Sequence, residues 1–489
     1  MIPPRHGSAT NPFRRSSHME EGGGHGAGDR ISSLPDDILF SILLRIGSTR
    51  AAARTSVLSR RWRHVWARLP ELRLGTCDVP PGATLLDSID AALDACSAPA
   101  VQRLEVAMYC HGLRVHARRV APWLRFASQR RVGDLYIEVP SQMKFFLSTP
   151  KPNKEELELP VCDGATRIIL SLERQWRLRL SRVGSFTSLT DLHISCATME
   201  GSELGALVSE QCPRLRNLYL FVRLAAASNV SIRSNSLDSL SFDVENTEKL
   251  EVIAPKLEVL TVCDATKADI SAPKLAEISW DGDTGYDPLC HRFANAGRHL
   301  RLLDLGSKCV VASLMHRFDK VNVLKLNLNL CNFKGTEAYT NFLNETIALP
   351  KCEKLKLRVS LRDYDHSFAS SMFHLLRNCN STRKVSIKVD SGHLTGYRYP
   401  CPLSCYCRWP ESCKADGITL ESIEEAKITF IRHSYGQAQF VEELARCHAP
   451  GLKKLVINCV LWSDGSTNEL QDKVGRMFDP DVIVKCNVI

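Results

Sequence analysis

A short pattern of apolar positions, Leu-x-x-Leu-x-Leu with apolar substitutes, recurs along the chain. The copies are VQRLEV, VGDLYI, LTDLHI, LRNLYL, LDSLSF, LEVLTV, LAEISW, LRLLDL and VNVLKL. Because the last two apolar residues of each copy alternate with polar ones, each copy predicts a short strand with one buried face. From Leu189 to Val321 the copies start about 18 to 26 positions apart, a period typical of stacked repeats. The pattern therefore predicts a solenoid.

The alignment of the copies predicts which side chains point into the core. The expected inward pairs are Leu192/Ile194, Leu218/Leu220, Leu240/Phe242, Ile278/Trp280, Leu303/Leu305, Leu324/Leu326, Leu355/Leu357 and Val385/Ile387. Their neighbours along each strand should point to the concave face of the solenoid. These neighbours are acidic or neutral at first, as in Asp191, His193, Asn217, Tyr219, Asp243, Glu277, Asp281 and Asp304. They then become basic: Lys325, Lys354, Lys356, Arg358, Lys384 and Lys388.

A different pattern precedes the repeats. The segment LPDDILFSILLRIG places Ile38, Leu39, Ile42, Leu43 and Ile46 at helical spacing. Gly47 is expected to end this helix, and Ser48 or Thr49 to cap a second short one.

A third helix is predicted from about Ser59 to Pro70. It places Leu58, Trp62, Val65, Trp66 and Leu69 on one face, with arginines over the rest. Three helices in about forty residues bury too little of this surface among themselves. Either a partner protein or the rest of the same chain should cover it.

The run LPDDILFSILLRIGSTRAAARTSVLSRRWRHVWARLPELRL resembles the F-box of plant F-box proteins, and the repeats resemble leucine-rich repeats. The resemblance implies docking on a Skp-family adaptor, which links the chain to a cullin and a RING protein. The residues implied for adaptor binding are Leu34, Pro35, Ile38, Leu39, Ile42, Leu43, Val57, Leu58, Trp62 and Trp66.

The segment from CPLSCYCRWPESC to LKKLVI resembles the FBD-type C-terminal region of the same plant family. The expected fold class is α/β, with a three-helix F-box followed by an irregular leucine-rich-repeat solenoid and a curved parallel sheet. The expected divisions are a disordered leader (1–28), the F-box (29–75), a helical linker (76–100), the solenoid (101–394) and an FBD-like region that continues it (395–489). An ordinary α/β domain with several parallel strands is the alternative.

Candidate chemistry is sparse. Cys401, Cys405, Cys407 and Cys413 lack the C-x2-C spacing of structural zinc sites, so we expect reduced thiols and no metal. The sequence contains no G-x-x-x-x-G-K-[ST] phosphate-binding loop, no G-x-S-x-G hydrolase motif and no H-E-x-x-H zinc motif. We therefore expect neither a cofactor nor catalysis by this chain. A net charge of +9 with no long basic block does not favour a nucleic-acid partner, and no apolar run is long enough to span a membrane. We expect the protein in the cytoplasm, the nucleus or both.

The function expected from the sequence is that of a substrate receptor in an SCF-type ubiquitin ligase, whose repeats hold an unknown protein target. Tyr219 and the six cations are the candidate target-binding residues. One interpretation of the cations is that they receive an acidic or phosphorylated segment of the target, or an anionic small ligand. A solvated lysine-rich surface that only keeps the sheet soluble is the other interpretation of the cations. The alternatives at the level of function are a repeat scaffold that binds the adaptor without degradation, and a nucleic-acid-binding repeat protein.

Overall fold

The computed structural model of the protein describes residues 34–58, 60–75, 84–109, 113–140, 155–181, 183–263, 265–281, 286–306, 312–329, 336–347, 349–361, 368–379, 381–390, 418–431, 437–459 and 467–488. The expected leader (1–28) and the four cysteines from Cys401 to Cys413 lie outside these ranges. The limits expected for the linker and for the C-terminal region stay predictions. No helix in the described ranges combines the length and the apolar character needed to cross a bilayer.

Three helical segments come first. Their bounds are α1 (Asp36–Arg45), α2 (Thr49–Arg54) with a 3-10 turn (Thr55–Val57), and α3 (Trp62–Val65) with a second 3-10 turn (Trp66–Arg68). Gly47 adopts a φ of 73° after α1, and the Ser48 side chain accepts a hydrogen bond from the Ala51 amide at the start of α2. Both predicted helix ends are confirmed.

The third predicted helix is wrong in its extent. It is one α-helical turn and one 3-10 turn instead of a continuous helix from Ser59 to Pro70. Leu58 does not share the buried face of Trp62, because it ends the preceding 3-10 turn and leaves its side chain 64% exposed.

The remaining described elements are strands and helices. The strands are β1 (Glu71–Gly75), β2 (Arg103–Ala107), β3 (Asp134–Glu138), β4 (Glu156–Leu159), β5 (Arg167–Ser171), β6 (Arg177–Leu180), β7 (Asp191–Met199), β8 (Asn217–Arg233), β9 (Ser239–Ile253), β10 (Val259–Cys263), β11 (Ala268–Ser271), β12 (Glu277–Asp281), β13 (His291–Ala294), β14 (His299–Leu305), β15 (Lys320–Asn329), β16 (Lys351–Ser360), β17 (Lys384–Asp390), β18 (Glu425–Phe430), β19 (Lys454–Cys459) and β20 (Ile483–Val488). The helices are α4 (Leu85–Ala95), α5 (Ala117–Gln129), α6 (Gly201–Ala206) with a π-helical turn (Leu207–Gln211), α7 (Ala312–Arg317), α8 (Thr336–Glu345), α9 (Ala369–Arg377), α10 (Gln437–Arg446) and α11 (Thr467–Gly475).

Every described strand pairing is parallel. The first row of strands runs in the order β1, β2, β3, β5, β7, β8, β9, β10, β12, β14, β15, β16, β17, β18, β19, β20. Chain order and spatial order agree along this row, which is the topology of a solenoid. The expected fold class is confirmed.

A second row of parallel strands closes the middle coils, and the sequence pattern did not predict it. Here β4 pairs with β6, the later halves of β8 and β9 pair with each other, and β11 joins β9 to β13. The first and last coils are instead closed by helices. Ion pairs cross-link the coils in this region, as between Arg179 and Glu203 (3.1 Å) and between Arg292 and Asp269 (2.9 Å).

All of the predicted inward pairs are buried, and they belong to one apolar core that extends from Leu72 to Cys486. The α1–α3 unit has a second, small core of its own. The two are joined where the Arg73 amide on β1 donates a 2.7 Å hydrogen bond to the hydroxyl of the buried Thr49.

We expect Trp280→Ala to lower the free energy of unfolding by about 3 to 5 kcal/mol. The Trp280 side chain is 2% exposed and packs against the rings of Tyr286, His291 and Phe293. Urea denaturation followed by circular dichroism measures the change. Val183→Ala, at an exposed side chain, is the matched control and should change the free energy by less than about 0.5 kcal/mol. Equal effects of the two substitutions would contradict the assignment.

We also expect stability to decrease in mild acid. Burial lowers the pKa of His374 below its ordinary value of 6.5, although its ring nitrogen lies 3.0 Å from the Leu343 carbonyl oxygen. The unfolded chain therefore binds this proton more readily than the folded chain. The contribution is complete above about pH 6.5 and is lost as the pH falls below that value. Melting temperatures of His374→Gln should depend less on pH across this window than those of the wild-type protein, and identical slopes would contradict the prediction.

Candidate functional site

The α1–α3 unit buries one side of its helices and exposes the other. Its core consists of Leu39, Leu43, Ala52, Trp62, Val65 and Leu69. Asp36 at the start of α1 forms ion pairs with Arg61 (2.5 Å) and Arg68 (3.6 Å). These contacts fix the orientation of α1 relative to the Trp62 region.

A set of large apolar side chains remains exposed on this unit. Ile38, Ile42 and Ile46 are 40% to 46% exposed, Leu58 is 64% exposed and Val57 is 85% exposed. The three isoleucines recur every four residues, so they lie along one side of α1. We refer to these five residues as the helical strip.

The residues expected to bind the adaptor fall into three groups. Leu39, Leu43 and Trp62 are buried in the core of the unit, so any contribution from them is indirect and consists of holding the helices in place. Leu34 and Trp66 are half-buried, whereas Pro35, Ile38, Ile42, Val57 and Leu58 are exposed. Ile46 is also exposed. The set of adaptor-binding residues expected from the sequence omitted it, although its helical spacing from Ile42 was visible.

The outer face of the first strand row is the second candidate surface. In its earlier half, the rings of His193 and Tyr219 lie against each other, with their centroids 4.0 Å apart and their planes tilted by 31°. Tyr219 is 40% exposed. Burial, with a smaller contribution from Asp243, raises the pKa of the Tyr219 hydroxyl, so the phenol stays protonated. This half of the face offers an aromatic contact area.

The later half of the face carries the predicted cations. In the strand register Lys325 lies opposite Lys356, Lys354 opposite Lys384, and Arg358 opposite Lys388. The alternation of strand residues places them all on one face, with neighbouring strands about 4.8 Å apart.

Not all of these cations are free of counter-charge. Lys325 forms an ion pair with Asp304, and Lys384 with Glu425 at 3.2 Å. Within the described ranges the other four form no ion pair with a carboxylate, and neither does Lys427, which the sequence argument missed. We refer to Lys354, Lys356, Arg358, Lys388 and Lys427 as the basic patch.

The described cysteines are buried or half-buried, and no disulfide bond joins any two of them. Burial raises the pKa of the Cys162 and Cys212 thiols to about 12, so neither is a thiolate at neutral pH. No group of three or more His, Cys, Asp or Glu side chains suited to a metal occurs among the described residues.

Comparisons with known proteins agree with this geometry. The F-box domain family matches residues 31–74, and the leucine-rich repeats of the FBD-associated F-box protein At5g56370 match residues 120–280. F-box/LRR-repeat protein 25 from Arabidopsis thaliana is 28% identical over 48% of this chain and 86% of its own length.

Two further Arabidopsis thaliana proteins are similar over longer stretches. F-box/FBD/LRR-repeat protein At5g22660 is 24% identical over 53% of this chain and 60% of its own length. F-box/LRR-repeat protein At4g15060 is 23% identical over 86% of this chain and 92% of its own length. The helical unit followed by a parallel-stranded solenoid, together with these matches, identifies the chain as a plant F-box/leucine-rich-repeat protein with repeats of the FBD-associated type.

Proposed function

We propose that this protein is the substrate-receptor subunit of an SCF-type ubiquitin ligase. Its F-box docks on a Skp-family adaptor, and through that adaptor on a cullin and a RING protein. The outer face of the strand row holds a protein target. The observation that carries the proposal is the helical strip, which leaves five large apolar side chains exposed on a unit that also has its own core.

The strip supports docking for an energetic reason. Covering apolar surface is worth about 25 cal/mol per Å². An amphipathic helix with apolar side chains exposed in a row is a usual docking element for a partner's apolar groove. The core residues beneath the strip keep α1 in place, so the strip is already formed before the adaptor binds.

The contribution of this subunit to catalysis is proximity. Holding a target lysine beside a charged conjugating enzyme makes the transfer effectively intramolecular, and the receptor supplies no reacting group. Tyr219 and the basic patch are the residues we propose for target contact. The proposal places the protein in the cytoplasm, the nucleus or both.

We expect Ile38→Asp with Ile42→Asp to abolish adaptor binding while leaving the fold intact. Each substitution places a charge on an exposed side chain that the adaptor would bury, and we expect at least about a 100-fold loss of affinity. Co-purification with a recombinant Skp-family adaptor, followed by titration calorimetry, measures the effect. Val183→Asp puts the same charge on an exposed apolar residue of the solenoid and serves as the control. Undiminished adaptor binding by the double variant would overturn this part of the proposal.

The same double variant separates a degradation receptor from a scaffold. Proteins that the solenoid captures should accumulate in cells that express Ile38→Asp/Ile42→Asp, because they are held without access to the ligase. The cellular amounts of the same captured proteins should fall when the wild-type protein is expressed at the level used for the variant. Quantitative mass spectrometry of captured proteins, with and without a proteasome inhibitor, measures both. Unchanged abundance in all conditions would favour the scaffold.

A further inference from the structure

Ser386 lies at the centre of the basic patch. It sits on β17 between the buried Val385 and Ile387, so its side chain projects from the outer face of the sheet. In the strand register it lies opposite Lys356 on one side and Lys427 on the other. Within its own strand it is flanked two residues away by lysines, so a single hydroxyl has basic side chains on four sides.

The charges around Ser386 are unequal. Lys384 forms an ion pair with Glu425 and is neutralised there. Lys356, Lys388 and Lys427 are exposed, and in the part of the chain that the structure describes they form no ion pair with a carboxylate. The Ser386 hydroxyl also makes no hydrogen bond among the described residues. The result is one hydroxyl donor surrounded by three uncompensated cations.

Arg358 adds a fourth cation to the three lysines around Ser386. It lies directly opposite Lys388 and two residues after Lys356 on β16. Like charges on adjacent strands repel each other unless an anion lies between them. The guanidinium adds planar donors that match an oxyanion.

The group is bounded on its sides. In the row of Ser386, the position beyond Lys427 is Val456. In the row of Arg358 and Lys388, the outer positions are Asn327 and Thr429. Two more exposed lysines of this face, Lys454 on β19 and Lys485 on β20, are separated from the group by Glu425 and Val456, respectively. The uncompensated charge is therefore concentrated on β16, β17 and β18. This suits a single compact anionic group better than the repeating phosphates of a nucleic acid.

We propose that Ser386 and the cations Lys356, Arg358, Lys388 and Lys427 bind a phosphate monoester on a side chain of the target. The Ser386 hydroxyl donates to one phosphate oxygen, and the cations neutralise the others. A phosphate monoester carries up to two negative charges and three acceptor oxygens, which matches several cations better than one carboxylate does. The inference rests on the proposed function, since it makes target capture dependent on phosphorylation.

The experiment uses the full-length chain and a fluorescein-labelled Gly/Ala peptide with one central phosphoserine. Anisotropy should show binding at low ionic strength, with at least about tenfold weaker binding of the unphosphorylated peptide. Lys356→Ala with Lys388→Ala should weaken phosphopeptide binding by at least about tenfold. Lys320→Ala with Lys351→Ala, which removes two exposed lysines from the start of β15 and β16, should not change it.

A second variant tests the site without a ligand. Ser386→Asp places a carboxylate among the cations and should raise the melting temperature at low salt above that of the nearly isosteric Ser386→Asn. It should also block the phosphopeptide. A melting temperature for Ser386→Asp equal to or below that of Ser386→Asn would overturn the inference.

The remaining outcomes each give a definite answer. If inorganic phosphate competes as strongly as the phosphopeptide, the ligand is a soluble phosphate and the assignment to a target side chain is wrong. If a single-stranded oligonucleotide binds more tightly and depends on the same lysines, the partner is a nucleic acid. Measuring adaptor binding with the same preparations shows whether a negative result contradicts the phosphate site alone or also the proposed function. Retained adaptor binding without phosphopeptide binding contradicts this inference alone, whereas loss of both contradicts the proposed function.

Discussion

The in-register stacking of inward-facing side chains is the constraint on which this structure depends. Each first-row strand presents two or three apolar residues to the core, and no strand can cover them without its neighbours. Leu324 and Leu326, for example, lie between Leu303/Leu305 on one side and Leu355/Leu357 on the other. Shifting one strand by a single residue would turn its buried side chains to solvent. The register is therefore tightly specified, and it also fixes the columns of side chains on the outer face.

The sequence predicted this constraint and its direct consequences. The two-residue alternation was sufficient to place every proposed inward pair, and helical spacing with a glycine placed the end of α1. The second row of strands could not be predicted in this way. Segments such as ADIS on β11 and HRFA on β13 are four residues long, and their strand structure depends on pairing with the neighbouring coils. The strand β5 carried only a weak signal. Ile168 and Leu170 are buried at alternate positions, but Ile169 between them is also apolar, and the unit starts from Ala165 instead of a leucine.

The positions of the charged residues on the outer face could be predicted from the sequence, but not which of them are neutralised by ion pairs. The alternation correctly placed Lys325 on the same face as Lys356, but the neutralising contact comes from Asp304, one coil earlier. Lys384 is compensated by Glu425, which is 41 positions later in the chain. Such pairs depend on which coil follows which and on the length of the intervening segments. A list of basic residues therefore overstates the free charge of the surface.

The helical strip and the basic patch have the same physical origin. In the helical strip, apolar side chains are exposed that a partner protein would stabilise by covering them, and in the basic patch, cations are exposed that an anion would stabilise. In both, a well-packed core directly beneath holds the exposed side chains in place. Leu39 and Leu43 hold Ile38 and Ile42 outward on α1, and Leu355 and Leu357 do the same for Lys356 on β16. The two cores are separate clusters that meet at β1, whereas the basic patch lies on β16 to β18, so changes in its surface charge are made far from the packing of the helices. A chain built in this way can vary what its sheet recognises while the helical surface stays the same.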